Sequence, residues 1–181
     1  MEESSIEITA ALPEDAEGIQ NVFYKTWLAT YPNEKAGITA SDIEYLYKDS
    51  FSKESLDGLS NYIKNLPEDE HFFIARDSDK AIFGACRVLR KNGVNQLQAI
   101  YVLPGYQGMG IGSRLWDAVK GTLNNDEAIV VEVATYNNNA ISFYEKLGFE
   151  DTGERSQNTT FQLKNGAFIP EMRMRLSNKK I

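Results

Sequence analysis

The alternation of hydrophobic and polar residues changes several times along the chain and predicts both strands and helices. Residues 5–12, SIEITAAL, alternate with a period of two, which is typical of a β-strand. Apolar residues then recur three and four positions apart, which indicates a helix over 13–30 that begins at Pro13. Two further helices are predicted next, one opened by a capping box at Ser41–Glu44 (SDIE) and one over 52–66, SKESLDGLSNYIKNL.

After these helices the period of two returns and predicts antiparallel strands. The segments HFFIAR (71–76) and AIFGACRVLR (81–90) flank the turn DSDK and indicate a hairpin, and VNQLQAIYVLP (94–104) supplies a third strand. Near the end of the chain, TTFQL (159–163) and FIPEMRMRLS (168–177) indicate closing strands.

The middle of the chain has the order of a strand, a loop, a helix and a second strand. The loop and the start of the helix read GYQGMGIGSRLW (105–116), with four glycines in eight residues, and the apolar strand AIVVEVA (128–134) follows. A further helix lies within NNNAISFYEKLGF (137–149) and is expected to end at Gly148. We therefore expect an α/β fold with a mixed, mostly antiparallel central sheet, a parallel central strand pair and flanking helices.

Composition narrows the class of protein. The chain has 181 residues, of which 42% are hydrophobic, so we expect one domain over 1–181. Cys86 is the only cysteine, so no internal disulfide can form, and the sequence shows neither a signal peptide nor an apolar run near 18 residues. We expect a cytoplasmic protein without a membrane partner. A net charge of -7 argues against nucleic acid and suits a cationic partner.

The glycine-rich loop is a candidate phosphate site, because bare backbone amides before a helix can approach an anion. A P-loop needs Gly-Lys-Ser/Thr, whereas Gly112 is followed by Ser113 and Arg114. The segment GMGIGS nearly matches the Gly-x-Gly-x-x-Gly motif of dinucleotide folds, with Glu132 about 20 residues downstream. Two details argue against an NAD(P)-binding oxidoreductase. Residues 104–107 separate the glycines from the strand that they should follow directly, and Glu132 is expected inside a strand and not at the strand end that faces a ribose.

Two segments carry a resemblance to a known family. QGMGIG (107–112) resembles the Gln/Arg-x-x-Gly-x-Gly/Ala signature of the GNAT superfamily of acyl-CoA N-acyltransferases. VATYNNNAISFYEKLGF (133–149) is similar to the next segment of that family, and together the two matches cover about 93–155. The resemblance implies the GNAT fold, in which the two central parallel strands splay apart, and the transfer of an acetyl group from acetyl-CoA, without a metal ion, to an amine.

The same resemblance implies roles for particular residues. The amides of Gly108–Ser113 would bind the coenzyme A pyrophosphate, the backbone of Ile100–Val102 would pair with the pantetheine arm, and Asn137 would contact that arm. Tyr144 would protonate the leaving thiolate. The implied cofactor-binding residues are Ile100, Tyr101, Val102, Gln107, Gly108, Met109, Gly110, Ile111, Gly112, Ser113, Asn137, Ala140 and Tyr144.

The chemistry also requires a base, since an amine with a pKa of about 10.4 is mostly protonated at pH 7. Glu132 is the first candidate, because a carboxylate in an otherwise apolar strand is costly to bury unless it is paired or functional. The alternative is an ion pair between Glu132 and an Arg or Lys. Glu70 and His71 are further candidates that would act through water.

Other conspicuous side chains have structural interpretations as well. Cys86 is expected to be a small buried core group, because no neighbour in sequence suggests an activated thiolate. Tyr144 has the spacing of a core residue, and only its surrounding segment favours catalysis. Trp27 and Tyr31 could belong to the core or could form an aromatic wall for a cationic acceptor.

The acceptor is the least determined part of the prediction. TWLATYP and FIPEMRM are loosely similar to family members that acetylate spermidine, spermine and other small amines. Protein amino termini and lysines are alternative, peptide acceptors. A catalytically silent coenzyme A sensor is an alternative function, and the protein could also form a homodimer. Acidic residues in the variable helical region could attract a polycation or form an ordinary solvated face; they are Glu34, Asp42, Glu44 and Asp49.

Overall fold

The computed structural model describes residues 6–91, 93–123 and 127–177. The strands within these residues are Glu7–Ala10 (β1), Glu70–Arg76 (β2), Ile82–Lys91 (β3), Val94–Val102 (β4), Ile129–Ala134 (β5), Glu150–Gln157 (β6) and Pro170–Leu176 (β7). The α-helices are Ala16–Thr30 (α1), Ala40–Leu46 (α2), Lys53–Lys64 (α3), Ile111–Lys120 (α4) and Asn138–Lys146 (α5). No helix in the described ranges has the length and apolar composition that a membrane crossing requires.

One mixed sheet contains all seven strands, in the spatial order β1-β2-β3-β4-β5-β7-β6. The first four strands run antiparallel in sequence order, which confirms the three antiparallel strands predicted from the period of two. β5 lies parallel to β4, and α4 connects the two. β7 and β6 continue the sheet antiparallel. The predicted fold class, a mostly antiparallel sheet with a parallel central pair and flanking helices, is therefore confirmed.

Helices cover both faces of the sheet and bury its apolar side chains. On one face, Leu115 of α4 packs in a cluster with Val131 of β5 and Met174 of β7. On the other face, Ile19 of α1 shares a cluster with Ile74 of β2. Successive strand residues point to opposite faces, so β2, β3 and β4 contribute to both clusters. The sheet is thus the middle layer of the molecule.

The parallel strands β4 and β5 stay together over only three residue pairs, from Asn95–Ile129 to Leu97–Val131. Beyond them β4 continues beside β3, and β5 continues beside β7. β4 carries one extra residue, Gln98, at a bulge in its pairing with β3, and bulges bend a strand. A gap therefore opens in the middle of the sheet, between the carboxyl-terminal halves of β4 and β5.

The strand predicted over 159–163 is wrong, because those residues lie in a turn and an irregular segment. The strand that pairs with β7 at the edge of the sheet is β6, Glu150–Gln157, whose side chains are all exposed. Charged edge strands carry no hydrophobic period, since neither face is buried. The hydrophobic pattern consequently pointed to the wrong segment, whereas the strand predicted over 168–177 is confirmed as β7.

The capping box of α2 lies two residues before the predicted one at Ser41–Glu44. The Thr39 hydroxyl accepts a hydrogen bond from the Asp42 amide at 3.3 Å, and the Asp42 carboxylate accepts one from the Thr39 amide at 2.9 Å. Both segments fit the Ser/Thr-x-x-acid pattern, so the pattern alone could not choose between them. The tertiary contacts of Asp42, which is 4% exposed, favour the first.

Candidate active site

The gap between β4 and β5 opens into a cavity of about 930 Å³. The ends of α1, β4 and β5, the glycine-rich loop and the start of α5 surround it. Of the predicted site residues, Met109 and Ile111 do not line the cavity: Met109 is 62% exposed, and the Ile111 side chain lies in the core. Those that line it are Ile100, Tyr101, Val102, Gln107, Gly108, Gly110, Gly112, Ser113, Glu132, Asn137, Ala140 and Tyr144.

The glycine-rich loop approaches the cavity with bare backbone. Gly108 and Gly110 have φ values of 78° and 79°, which side chains rarely adopt, and a Cβ added to either would meet no atom within 4 Å. The Gln107 side chain donates to the Val102 carbonyl at 3.0 Å and ties the loop to the end of β4. The loop therefore has open space beside Gly108 and Gly110, where an anion can approach bare backbone.

The start of α4 adds electrostatic attraction for an anion. The helix spans ten residues, and its first turn carries no acidic side chain. The Arg114 amide donates to Gly110, whereas the amides of Ile111–Ser113 precede the first intrahelical bond. A Cβ on Gly112 would lie 3.4 Å from the Phe143 ring, so this glycine also lets α4 and α5 pack closely. These amides and the helix dipole form an anion-binding arrangement.

The end of β4 presents a free edge to the gap. Ile100 and Tyr101 pair with Cys86 and Ala85 of β3 on one side only. On the other side the described residues of β5 do not pair with them. An extended ligand can therefore add to this edge through backbone hydrogen bonds.

Tyr144 lines the cavity and is 5% exposed. Its ring contacts those of Phe143 and Phe149, each with centroids 5.4 Å apart. Burial, together with Cys86 and Tyr101, raises the pKa of Tyr144, so its hydroxyl stays protonated at neutral pH. Cys86 is itself buried, which confirms its predicted place in the core.

Asn137 has a structural role in addition to its place on the cavity wall. Its side-chain oxygen accepts a hydrogen bond from the Ala140 amide at 3.1 Å and caps α5. The cap fixes the start of the helix that carries Tyr144.

Three tyrosines line the wall of the cavity on the α1 side. The hydroxyls of Tyr31 and Tyr101 lie 3.2 Å apart, and the Tyr136 hydroxyl donates to the Tyr31 carbonyl at 2.9 Å. Burial is the main cause of the raised pKa of Tyr31 and of Tyr101. The sequence left open whether Trp27 and Tyr31 belong to the core or to an aromatic wall. Trp27, 6% exposed, belongs to the core, whereas Tyr31 lines the cavity.

Glu132 reaches the cavity in an ion pair. Arg173 on β7 donates through Nε to Glu132 Oε1 at 2.7 Å, and its Nη1 binds Glu154 at 2.7 Å. The Glu132 side chain is 20% exposed. The ion pair named as the alternative for Glu132 is thus present, and the carboxylate also faces the cavity.

The other candidate bases lie elsewhere. Glu70 accepts hydrogen bonds from Tyr62 and Arg87, and the Arg87 guanidinium lies over the Tyr62 ring, 4.7 Å from its centroid. Neither Glu70 and the adjacent His71 nor their strand partners, Leu89 and Val88, are among the described residues that line the cavity. The Glu70 carboxylate instead joins α3 to β2 and β3.

Sequence patterns missed some residues of this region. Tyr136 and Gln98 line the cavity, and Glu171 lies across from the cavity residue Ala134 on the neighbouring strand. Tyr136 directly precedes the predicted site residue Asn137, so its position in the sequence could have marked it as a candidate. Glu171 carries no such signal, because only strand pairing brings it near β5.

The splayed sheet, the amide-lined loop and the cavity between them define an α/β protein that binds an acyl-coenzyme A. Residues 24–176 match the family model described as the acetyltransferase (GNAT) domain, and the chain belongs to that family. It is an acetyl-CoA-dependent N-acetyltransferase. The dinucleotide-binding oxidoreductase considered from the glycine motif is therefore excluded.

Solved structures agree with the family assignment. The PaiA N-acetyltransferase from Thermoplasma acidophilum, in complex with coenzyme A, has a TM-score of 0.66 and 26% identity, over 95% of this chain and 99% of that one. A variant of the spermidine N-acetyltransferase SpeG from Vibrio cholerae has a TM-score of 0.61 and 21% identity, over 98% and 96%. The ribosomal-protein-S18-alanine N-acetyltransferase from Escherichia coli has a TM-score of 0.60 and 18% identity, over 98% and 96%. No curated protein matches the sequence significantly.

Proposed function

We propose that this single-domain acetyltransferase transfers the acetyl group to a primary amine of a small cationic molecule, such as a polyamine, by direct attack in a ternary complex. The observation that carries the proposal is the continuous cavity, which joins the amides of the glycine-rich loop to Tyr144 and Glu132 through the gap in the sheet. Both substrates can therefore meet without an acetylated protein intermediate.

Acetyl-CoA binds along one side of this cavity in the proposal. The amides of Gly108–Ser113 hold the pyrophosphate, and the open space at Gly108 and Gly110 supports this placement. The pantetheine arm adds to the free edge of β4 at Ile100–Val102 and passes Asn137 and Ala140. The thioester then lies near Tyr144.

Two groups stabilise the charges that develop during transfer. A backbone amide at Ile100 or Tyr101 polarises the thioester carbonyl, and such a donor typically contributes about 3–4 kcal/mol. Tyr144 then protonates the leaving sulfur as the C–S bond breaks, because burial keeps its hydroxyl protonated and therefore available as a donor.

The opposite wall of the cavity, formed by Tyr31, Tyr101, Tyr136 and Glu132 and hereafter named the acceptor wall, suits a cationic acceptor. Tyr31, Tyr101 and Tyr136 supply aromatic and hydroxyl surface, and Glu132, the base predicted from the sequence, supplies a carboxylate. Arg173 compensates part of that charge. We propose that the Glu132 carboxylate attracts the ammonium group of the acceptor and lies next to the step in which that group loses a proton.

Thiol release from acetyl-CoA tests the function directly. The panel contains polyamines, aminoglycosides, amino acids and peptides, and each polyamine is matched with its fully N-methylated analogue, whose tertiary amines cannot form a stable amide. We expect saturable release with small primary polyamines and none with the methylated analogues. Thiol release with peptides alone would reassign the acceptor to a protein amine. If no amine of the panel releases thiol, the proposal is contradicted.

A further inference from the structure

Glu171 on β7 is a second carboxylate beside the acceptor wall. Met172 of β7 and Val133 of β5 are paired and buried against α4 and α5, so the residues on either side of them point to the α1 face of the sheet. Glu132 and Glu171 are therefore diagonal neighbours on that face. Glu171 is not itself among the described residues that line the cavity, but its strand partner Ala134 is, so contact between this carboxylate and the acceptor requires a bridging water molecule.

The surroundings of Glu171 are less polar than those of Glu132. Its Oε1 accepts a hydrogen bond from the neutral Asn158 side chain at 2.9 Å. Burial is the main cause of the raised pKa of Glu171; the Glu132 charge also raises it, and the Asn158 hydrogen bond opposes the shift. The Glu171 charge in turn contributes to the raised pKa of Tyr31 and of Tyr101, so the carboxylate lies within electrostatic range of both hydroxyls.

The two carboxylates accept hydrogen bonds from partners of different charge. Glu132 accepts a charge-assisted hydrogen bond from the Arg173 guanidinium, which holds its carboxylate in place. A proton that binds Glu171 meets only a neutral amide and relieves repulsion from Glu132. Neighbouring carboxylates whose environments differ in this way divide the acid and base roles between them.

We propose that Glu171, rather than Glu132, receives the proton that the ammonium group of the acceptor loses before acetyl transfer, through one water molecule in the cavity. The inference rests on the proposed function. Glu132, held by Arg173, presents its carboxylate to the ammonium group, while Asn158 orients the Glu171 carboxylate.

The protons and bonds balance in this scheme. The ammonium N–H bond breaks, its proton passes to the water, and the water gives a proton to Glu171. The neutral nitrogen forms a bond to the carbonyl carbon, and the C–S bond breaks. Tyr144 protonates the thiolate and regains a proton from the new amide nitrogen, and Glu171 returns its proton to solvent.

The pH dependence of kcat in four proteins tests the assignment. The wild-type rate should fall on the acidic side at a pH above the ordinary glutamate pKa of about 4.3. Glu132→Gln removes a like charge and should move this acidic limb to lower pH. Asn158→Ala removes a hydrogen bond that favours the ionised carboxylate and should move it to higher pH. Glu171→Gln should lose the limb, with turnover reduced about 100-fold or more.

Two results would overturn the assignment: an unchanged acidic limb in Glu171→Gln, or complete loss of the limb in Glu132→Gln. Carbon-13 carboxyl titration of the labelled protein, without acceptor, measures the same coupling independently of turnover. There the Glu171 signal should titrate above the ordinary range and shift in opposite directions in Glu132→Gln and Asn158→Ala. If Glu171→Gln does not fold, the titration of the Glu171 signal in Glu132→Gln and Asn158→Ala still tests the assignment.

The titration also separates this inference from the proposed function. If no amine releases thiol from acetyl-CoA, the proposed acceptor class fails, whatever Glu171 does. If thiol is released but the Glu171 signal titrates in the ordinary range, the assignment of the proton acceptor fails and the proposed function stands.

Discussion

Tyr144 combines a buried ring with a hydroxyl at the cavity, so its two roles can be separated by one substitution. Tyr144→Phe keeps the packing against Phe143 and Phe149 but removes the proton donor. We expect turnover to fall about 10- to 1,000-fold, while the affinity for acetyl-CoA, measured by calorimetry, stays nearly constant. Wild-type turnover in a folded Tyr144→Phe protein would return the residue to a purely structural role.

Gly110 tests the glycine-rich loop. Gly110→Val places a branched side chain at φ 79° in front of the amides that we assign to the pyrophosphate, so coenzyme A binding should be lost while the fold is retained. Gly153→Val is the matched control, because Gly153 also has a positive φ and open space but lies on the edge strand β6. Equal cofactor affinity in the two variants would exclude the loop as the phosphate site.

Local motifs predicted the residues whose role is set by neighbours in sequence. The glycines, Asn137 and Tyr144 belong to two contiguous segments, and the structure brings both segments to one cavity. Glu132 stayed ambiguous, because its partner Arg173 lies 41 residues further along the chain. Glu171 could not be found from sequence, since only the β5–β7 register places it near the acceptor wall.

At the scale of elements, hydrophobic period located the buried strands and helices well. It failed at β6, whose exposed, charged residues bury neither face, and it misplaced the start of α2 between two similar capping patterns. The hydrophobic pattern also does not show where β4 and β5 separate. It depends on a bulge at Gln98 and on β7 pairing with the far side of β5.

Asp42 joins the start of α2 to the segment between β6 and β7. Its carboxylate accepts hydrogen bonds from Thr39, at the start of α2, and from the Asn165 amide, in the segment between β6 and β7. The Thr39 hydroxyl is the main cause of the lowered pKa of Asp42, and the amides of Thr39 and Asn165 act in the same direction. These hydrogen bonds favour the ionised carboxylate, so the contribution of Asp42 to folding is largest when it is ionised.

We therefore expect Asp42→Asn to lower the free energy of unfolding at neutral pH. A folded-state pKa below the unfolded value of about 3.9 gives stability that is present above that pH and is lost as the pH falls through the folded pKa. Urea unfolding at several pH values should show the difference between wild type and variant shrinking below pH about 4. Glu44→Gln, at an exposed position of α2, is the control; a constant difference at all pH values would contradict the account.

At the scale of the whole molecule, the net charge of -7 acts on substrates of opposite sign. Attraction of a polycation is screened as the Debye length falls from about 30 Å at 0.01 M salt to about 8 Å at 0.15 M. We expect kcat/KM for a polyamine to decrease over this range more than kcat/KM for a monoamine of similar length. Equal salt dependence for the two acceptors would argue against electrostatic attraction of the acceptor.

The central claim is direct transfer from acetyl-CoA to the nitrogen of the acceptor. A single turnover with carbon-13-labelled acetyl-CoA and excess protein, stopped at several times and followed by mass spectrometry of acceptor and intact chain, measures where the acetyl group goes. We expect the label to appear on the acceptor amine at the rate of thiol release, with no acetylated protein at any time. Label that first accumulates on the chain and only then reaches the acceptor would contradict the account.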